Sequence, residues 1–381
     1  MGSKRETCEI DFGFVLSVVP VGLPAGGALT IFYLADRLAN DGFEVSVIFL
    51  TNSKRYLKNL SQQSNIPRSK FDYLQNTPWI TYYIIAPMFR KIKGIKYSAK
   101  KLKHKQIAFC KIGKESSYNW KFENLVATSY EAAYFVNNYP SQRVAKKFFI
   151  VNQSEDNIDF NPFFYEQARE AYKMPLQKIV YNQYLQERFR ENEVYKFQYG
   201  YDNDRFRITN DIRKRPNSKI IIPLRNGKDK GADLALAAAS LVHSRVPEAK
   251  FFAFGNYSGI IPEYIDFYFL PTKELNNLYN ECSIFVLPSS VEGFSLPTIE
   301  AMACGNAVVV MDNEGVREFI RSGQNGILIT ERNAQKLAEA IIELIQNDQK
   351  RYSLAENGLA TSRKFTRERM YSSFKKLFAD E

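Results

Sequence analysis

The chain has 381 residues, of which 45% are apolar, so it suits two domains of about 150 to 200 residues better than a single core. No stretch of about 18 uncharged apolar residues occurs, which excludes a membrane-spanning helix. The four cysteines (Cys8, Cys110, Cys282, Cys304) and two histidines lack ligand or pairing spacing, which speaks against a zinc site or disulfide framework and fits a reducing cytoplasm; the net charge of +11 leaves phosphorylated ligands, anionic lipid and nucleic acid open as partners.

In chain order, residues 13–20 read as a buried strand, within FGFVLSVVPVGL. Residues 28–40 read as a helix with Leu29, Phe32, Ala35 and Leu38 on one face, and 43–50 as a second strand. The runs YYIIAP, NLVAT, KFFIVN and KIVYN are strand-like, with helical patterns between most of them. Alternation of this kind predicts an α/β fold with a parallel sheet covered on both faces. Near residue 200 the polar, turn-rich segment YGYDNDRFRITNDIRKRPNS interrupts it. The alternation then restarts: IIIPL, a helix from about 231, KFFAF, a helix near 272–280, SIFVLP, a helix near 297–303, and NAVVVM. The linker therefore separates two α/β domains, expected at 1–200 and 201–364, with the helical end 365–381 packing back on the first. Parallel sheets bind ligands beyond the carboxyl ends of their strands, where strand order reverses, and two such sheets facing across a cleft are a usual place for a small-molecule site.

Two segments that follow strands carry the chemistry. After IIIPL comes Arg225-Asn226-Gly227-Lys228-Asp229-Lys230-Gly231, in which an arginine fork and a compact ammonium suit a phosphate; a solvated basic turn is the plain alternative. After SIFVLP comes SSVEGFSLPTIEAMACG, with Glu292 and Glu300 on either side of an expected helix start and Pro297 in its first turn. The N–H groups of Phe294, Ser295 and Leu296 at such a start form an anion site. Glu300, one turn inside, is placed to accept ribose hydroxyls, as an acid does in dinucleotide-binding folds, and Glu292 to lie beyond the phosphates. A helix cap and a solvated glutamate are the structural alternative.

EGFSLPTIEAMACG resembles the E-x7-E signature of the family 4 retaining glycosyltransferases, two-domain enzymes of the GT-B type. GLPAGGALTIFYLADRLANDGFEV resembles the family's first glycine loop, helix and second strand. GYDNDRF resembles its segment leading into the second domain, and LRNGKDKG, PTKELNNLYNECSIFVLPSSVEGF and NGILI resemble successive parts of that domain. The resemblance implies two Rossmann-like domains facing across a cleft, with a nucleotide-sugar donor on the second and an acceptor on the first. It implies that Glu300 binds the donor ribose, that Glu292 lies against the transferred sugar, and that Arg225 and Lys230 neutralise the diphosphate with the N–H groups of Phe294 to Leu296. The base would rest near Phe269, Leu270, Pro271 and Leu275, and Gly26 and Gly27 would let the backbone approach the diphosphate. Transfer would retain anomeric configuration and require no metal or other cofactor, the nucleotide sugar being a substrate.

The chain departs from the family in one respect. Many members present a first-domain histidine near the acceptor, whereas His104 lies in a lysine-rich stretch and His243 on a second-domain helix. Ser129, Tyr130, Glu131, Glu155 and Asp156, in TSYE and NQSEDN, are instead the candidate acceptor contacts, with turn or cap roles as their alternative. QSEDNIDFNP is faintly similar to a segment of bacterial rhamnosyltransferases that extend surface polysaccharides. Asp202-Asn203-Asp204 could suggest a metal site, but its place at the crossover between domains favours a linker turn. RKIKGIKYSAKKLKHK (90–105) holds eight Lys or Arg and no acid, so it suits an anionic membrane surface, with a solvated basic face as the alternative. The expected product is a glycan or glycolipid made at the inner face of the cell membrane. Two other readings are a non-catalytic sugar-binding protein of the same fold and a nucleic-acid-binding protein. The aromatics fall mostly within strand-like runs and read as core, so nucleic acid is not expected as a partner.

Overall fold

The computed structural model describes residues 10–17, 26–50, 105–152, 162–191, 193–269 and 274–379. The chain forms two compact units, one of residues 1–179 and 191–195, the other of 180–190 and 196–381.

The first unit is built on a sheet of β1 (Ile10–Leu16), β2 (Val45–Leu50), β3 (Lys105–Cys110), β4 (Phe122–Ala127), β5 (Val144–Ile150), β6 (Gln177–Val180) and β7 (Val194–Lys196). Their order is β3-β2-β1-β4-β5-β6-β7, and the described pairings are parallel. Residues VSVIFL of β2 are buried throughout, as a strand covered on both faces requires. Among the described residues, the helices of this part of the chain are α1 (Gly26–Asn40), α2 (Tyr130–Asn138) and α3 (Pro162–Lys173). The first strand begins earlier than expected, at Ile10. The buried face of α1 is Ile31, Leu34, Ala35 and Leu38, one position round from the predicted stripe. Leu29 and Phe32 are half-buried at its margin, Phe32 against Phe49 with ring centroids 6.3 Å apart. The YYIIAP run and residues 90–104 lie outside the described residues.

The second unit opens with the short helix α4 (Gln183–Arg188). Its sheet comprises β8 (Lys219–Leu224), β9 (Lys250–Gly255), β10 (Ile265–Phe269), β11 (Ile284–Leu287), β12 (Ala307–Met311) and β13 (Ile327–Ile329), in the order β10-β9-β8-β11-β12-β13, all pairs parallel. Both sheets have the order in which two strand–helix halves diverge from a central pair: β1 with β4, and β8 with β11. Around the second sheet run α5 (Ala232–Arg245), α6 (Leu275–Glu281), α7 (Leu296–Ala303), α8 (Ala334–Gln346), α9 (Asp348–Ser362) and α10 (Arg367–Lys376). One layer of core joins Ala235, Ala238 and Val242 of α5 to Leu337, Ile341 and Leu344 of α8.

The division between units falls earlier than the expected residue 200. The last helix, expected on the first domain, makes contacts with the segment that follows β7. Phe374 of α10 meets Phe197 with ring centroids 5.5 Å apart, and Gln198 N–H donates to Ser373 Oγ at 2.9 Å, but Phe197 and Gln198 themselves belong to the second unit.

Candidate functional site

The polar centre of the second unit sits where its strand order reverses. The chain leaves β8 at Arg225 and leaves β11 toward Glu292, so neighbouring strands carry both residues out on one edge. Arg225 Nη2 donates to Ser289 Oγ at 2.9 Å and to Glu292 Oε1. Lys230 Nζ lies 3.5 Å from the same Glu292 oxygen, 2.9 Å from Asp229 Oδ2 and 3.0 Å from the Val291 carbonyl. The predicted cations and the first glutamate are thus in direct contact. Burial alone would raise the Glu292 carboxyl, but Arg225 and Lys230 outweigh it and hold the group below the usual carboxylate range.

Ser295 caps α7 with φ 68° and ψ 69°, the left-handed region, and is the only non-glycine residue with positive φ among the described residues. That conformation costs about 1–2 kcal/mol, and strain of this kind gathers where a site needs a particular backbone direction. Ser295 Oγ sits 2.8 Å from Thr298 Oγ1. Among the described residues, no backbone or side-chain acceptor takes the N–H groups of Phe294, Ser295 or Leu296, so the helix start keeps its donors for an anion. The Phe294 ring is buried against Tyr199, Phe319 and Phe365 at 5.2, 5.2 and 5.8 Å between centroids. Its side chain anchors the loop.

Glu300 lies one turn into α7. Burial raises its carboxyl to about 8, against the opposing charge of Arg205 and a hydrogen bond with Tyr279, with Asp202 adding to the rise. Arg205 and Asp202 come from the segment between the two sheets. Asp202 and Asp204 both pair with Arg367, Asp202 at 2.8 Å, so the DND acids have an ion-pair role.

The other predicted contacts lie as follows. Phe269 ends β10 and is 66% exposed, edge-on to Phe267, while Leu275 opens α6 and is buried; Leu270 and Pro271 lie outside the described residues. Gly26 and Gly27 begin α1. A Cβ on Gly27 would meet no atom of the described residues within 4 Å. Ser129 and Tyr130 follow β4, beside the end of β1 where the first sheet reverses; Thr128 Oγ1 donates to the Val15 carbonyl at 2.9 Å. Ser129 Oγ caps α2, accepting from Ala132 N–H at 3.2 Å. Burial and Glu131 push the Tyr130 phenol up. Glu155 and Asp156 lie outside the described residues.

Sequence reasoning missed the groups that hold the signature loop. Asn182 Nδ2 donates to the Gly293 carbonyl at 2.8 Å, while its Oδ1 accepts the Leu185 N–H and caps α4. Asn313 Nδ2 donates to the Ser289 carbonyl at 3.0 Å. Gly315 packs flat on the loop: a Cβ there would come within 2.5 Å of the Glu292 carbonyl oxygen and 2.8 Å of Phe294 N. Asp229 stood inside the quoted Arg/Lys loop, and its adjacency to Lys230 was the available signal. Asn182 lies 111 positions from Gly293 in sequence, and neither it nor Gly315 carries such a signal.

A family model described as "Glycosyl transferases group 1" matches residues 204–361. An uncharacterized glycosyltransferase of Methanocaldococcus jannaschii is 36% identical over 107 residues, covering 28% of this chain and 30% of that protein. An N,N'-diacetylbacillosaminyl-diphospho-undecaprenol alpha-1,3-N-acetylgalactosaminyltransferase of Campylobacter jejuni is 41% identical over 85 residues, covering 22% and 23%. A poly(glycerol-phosphate) alpha-glucosyltransferase of Bacillus subtilis is 33% identical over 162 residues, covering 39% and 24%. The chain therefore spans less than a third of the length of these curated relatives. Among solved structures, Anabaena HepE in complex with UDP and glucose is 17% identical, covers 98% of this chain and 100% of that one, and has a TM-score of 0.66. A mutant of S. aureus TarM in complex with fondaparinux, alpha-GlcNAc-glycerol and UDP is 14% identical, with 97% and 99% coverage and a TM-score of 0.65. The fold is GT-B.

Proposed function

We propose that this GT-B chain is a retaining glycosyltransferase that moves a sugar from a nucleoside diphosphate to a glycan or lipid-linked acceptor in cell-surface polysaccharide or glycolipid synthesis. The observation that carries the reading is Glu292 Oε1 in contact with both Arg225 and Lys230 beside an unsatisfied helix start. Two cations already share one anionic oxygen there, and a diphosphate presents oxygens of the same kind. The group 1 match over 204–361 and named glycosyltransferases among the relatives support it.

Breaking the sugar–phosphate bond leaves a diphosphate of growing negative charge and a sugar of oxocarbenium character. Arg225, Lys230 and the N–H groups of Phe294 to Leu296 stabilise that charge with fixed cations and dipoles. Glu292 faces the transferred sugar, and Glu300 accepts the ribose hydroxyls. The acceptor attacks from the face the diphosphate leaves, and the departing phosphate takes its proton, which retains configuration. Ser129, Tyr130 and Glu131, beside the first unit's switch point, contact the acceptor, and Glu155 and Asp156 are the further candidates for that role. With two cations supplied by side chains, the reaction needs no metal. The basic stretch 90–105 brings the enzyme to an anionic membrane face on the cytoplasmic side; among the described residues no helix is long and apolar enough to cross a membrane.

Release of nucleoside diphosphate from a panel of nucleotide sugars tests the activity. Replacing Lys230 or Glu300 with Ala leaves a folded protein whose donor turnover falls by about a hundredfold or more. Undiminished turnover in both variants rules these roles out.

A further inference from the structure

Asp229 is the fourth charged group of the polar centre, and the proposed chemistry does not use it. Arg225, Lys230, Glu292 and Asp229 together are two cations and two carboxylates, formally neutral. An ammonium has three N–H donors. Those of Lys230 face Asp229 Oδ2 at 2.9 Å, the Val291 carbonyl at 3.0 Å and Glu292 Oε1 at 3.5 Å. The two short contacts come from the same turn and from the main chain. The long one goes to Glu292, the oxygen that Arg225 also grips, and so marks where an anionic oxygen sits between both cations. Asp229 thereby aims the third N–H of Lys230 at that point.

The same residue ties the lysine turn to the glutamate loop. Its carbonyl accepts from Ser290 N–H at 2.9 Å and from Ser290 Oγ at 3.2 Å. The side chain is only 6% exposed, and Oδ1 has no hydrogen-bond partner among the described residues. Gly227, with φ 115°, lies against it: a Cβ there would come within 2.8 Å of Oδ1. A half-satisfied carboxylate in such a place is costly, and packing alone would be better served by a neutral group.

We propose that Asp229 is a positioning residue for the transfer, holding the Lys230 ammonium toward the departing diphosphate at the expense of affinity for the diphosphate in the ground state. This rests on the glycosyltransferase reading and deepens it. A buried carboxylate beside an anion site repels the anion before and after bond cleavage. The oriented ammonium gains most when charge develops on the leaving group. The two effects oppose each other, so a neutral isostere separates them.

The test titrates inorganic pyrophosphate calorimetrically into wild type and Asp229→Asn at matched salt, and measures kcat and KM for whichever nucleotide sugar the wild type turns over. The expected result is pyrophosphate affinity raised by about threefold or more together with kcat lowered by about tenfold or more. Asp229→Glu keeps the charge but lengthens the arm, so its pyrophosphate affinity stays near wild type while kcat falls; it decides the matter if the Asn variant does not fold. Wild-type kcat in a folded variant overturns the proposal, as does weaker pyrophosphate binding together with a lowered Tm in Asp229→Asn. A wild type that binds pyrophosphate but transfers from no donor contradicts the transferase reading instead.

Discussion

Glu292 and Glu300 stand eight positions apart, one on each side of the start of α7, and their carboxyls move in opposite directions. Arg225 and Lys230 overcome the effect of burial on Glu292, whereas burial prevails at Glu300 and raises it to about 8. The native state therefore binds the Glu300 proton more tightly than the unfolded chain. Its contribution to stability is full below the unfolded carboxylate value and is lost as pH rises through about 8. Between pH 6 and 9 the Tm of wild type should fall further than that of Glu300→Gln, which cannot ionise; parallel melting curves would contradict the raised value. The ionised form offers both oxygens to a ribose, so the wild type should also gain nucleoside diphosphate affinity over this range relative to Glu300→Gln. Both glutamates, Arg225 and Lys230 were legible in the sequence because each follows an apolar strand at a spacing with a chemical use. The direction of each carboxyl was not, since it depends on how deeply each is buried and, for Glu292, on how closely Arg225 and Lys230 approach it, which only the fold decides.

At the scale of elements, the signature loop is held from two sides. Asn182 caps α4 with its oxygen and holds the Gly293 carbonyl with its amide. Asn182→Ser keeps a capping oxygen but lacks the amide donor, so it should lose donor turnover with a smaller loss of stability. Asn182→Ala should lose both, the cap alone being worth about 1 kcal/mol. Equal melting and turnover in the two variants would remove Asn182 from the site. On the other side Gly315→Ala forces a Cβ into the Glu292 carbonyl and should cost about 1–3 kcal/mol of overpacking, measured by denaturant unfolding, with donor turnover reduced as well. The order of elements was readable because strand and helix periods alternate plainly. On α1, Ala35 and Leu38 are buried as expected, but apolar residues at 29, 31, 32, 34 and 35 allow two neighbouring stripes, and packing selected Ile31 and Leu34 over Leu29 and Phe32. The placement of residues 180–190 with the second unit was not readable, because KIVYN reads locally as one more strand of the first sheet.

The whole molecule carries two sheets built on the same strand-order reversal, with Ser129 and Tyr130 beside that point in the first and Arg225 and Glu292 beside it in the second. An excess of eleven positive charges favours anionic ligands at a distance, but the selective element is the local arrangement of Arg225, Lys230 and the start of α7. If the side-chain cations carry the leaving-group charge, prolonged treatment with EDTA should leave turnover unchanged, and a loss restored by a divalent cation would contradict that part of the mechanism. The most direct measurement is a thermal-shift series of wild type and Lys230→Ala with UDP, GDP, dTDP and ADP. One of these at about a hundredfold excess over its dissociation constant should stabilise the wild type by about 2.7 kcal/mol and the variant far less. No shift with any of them, or equal shifts in both proteins, would contradict a diphosphate site built on these residues.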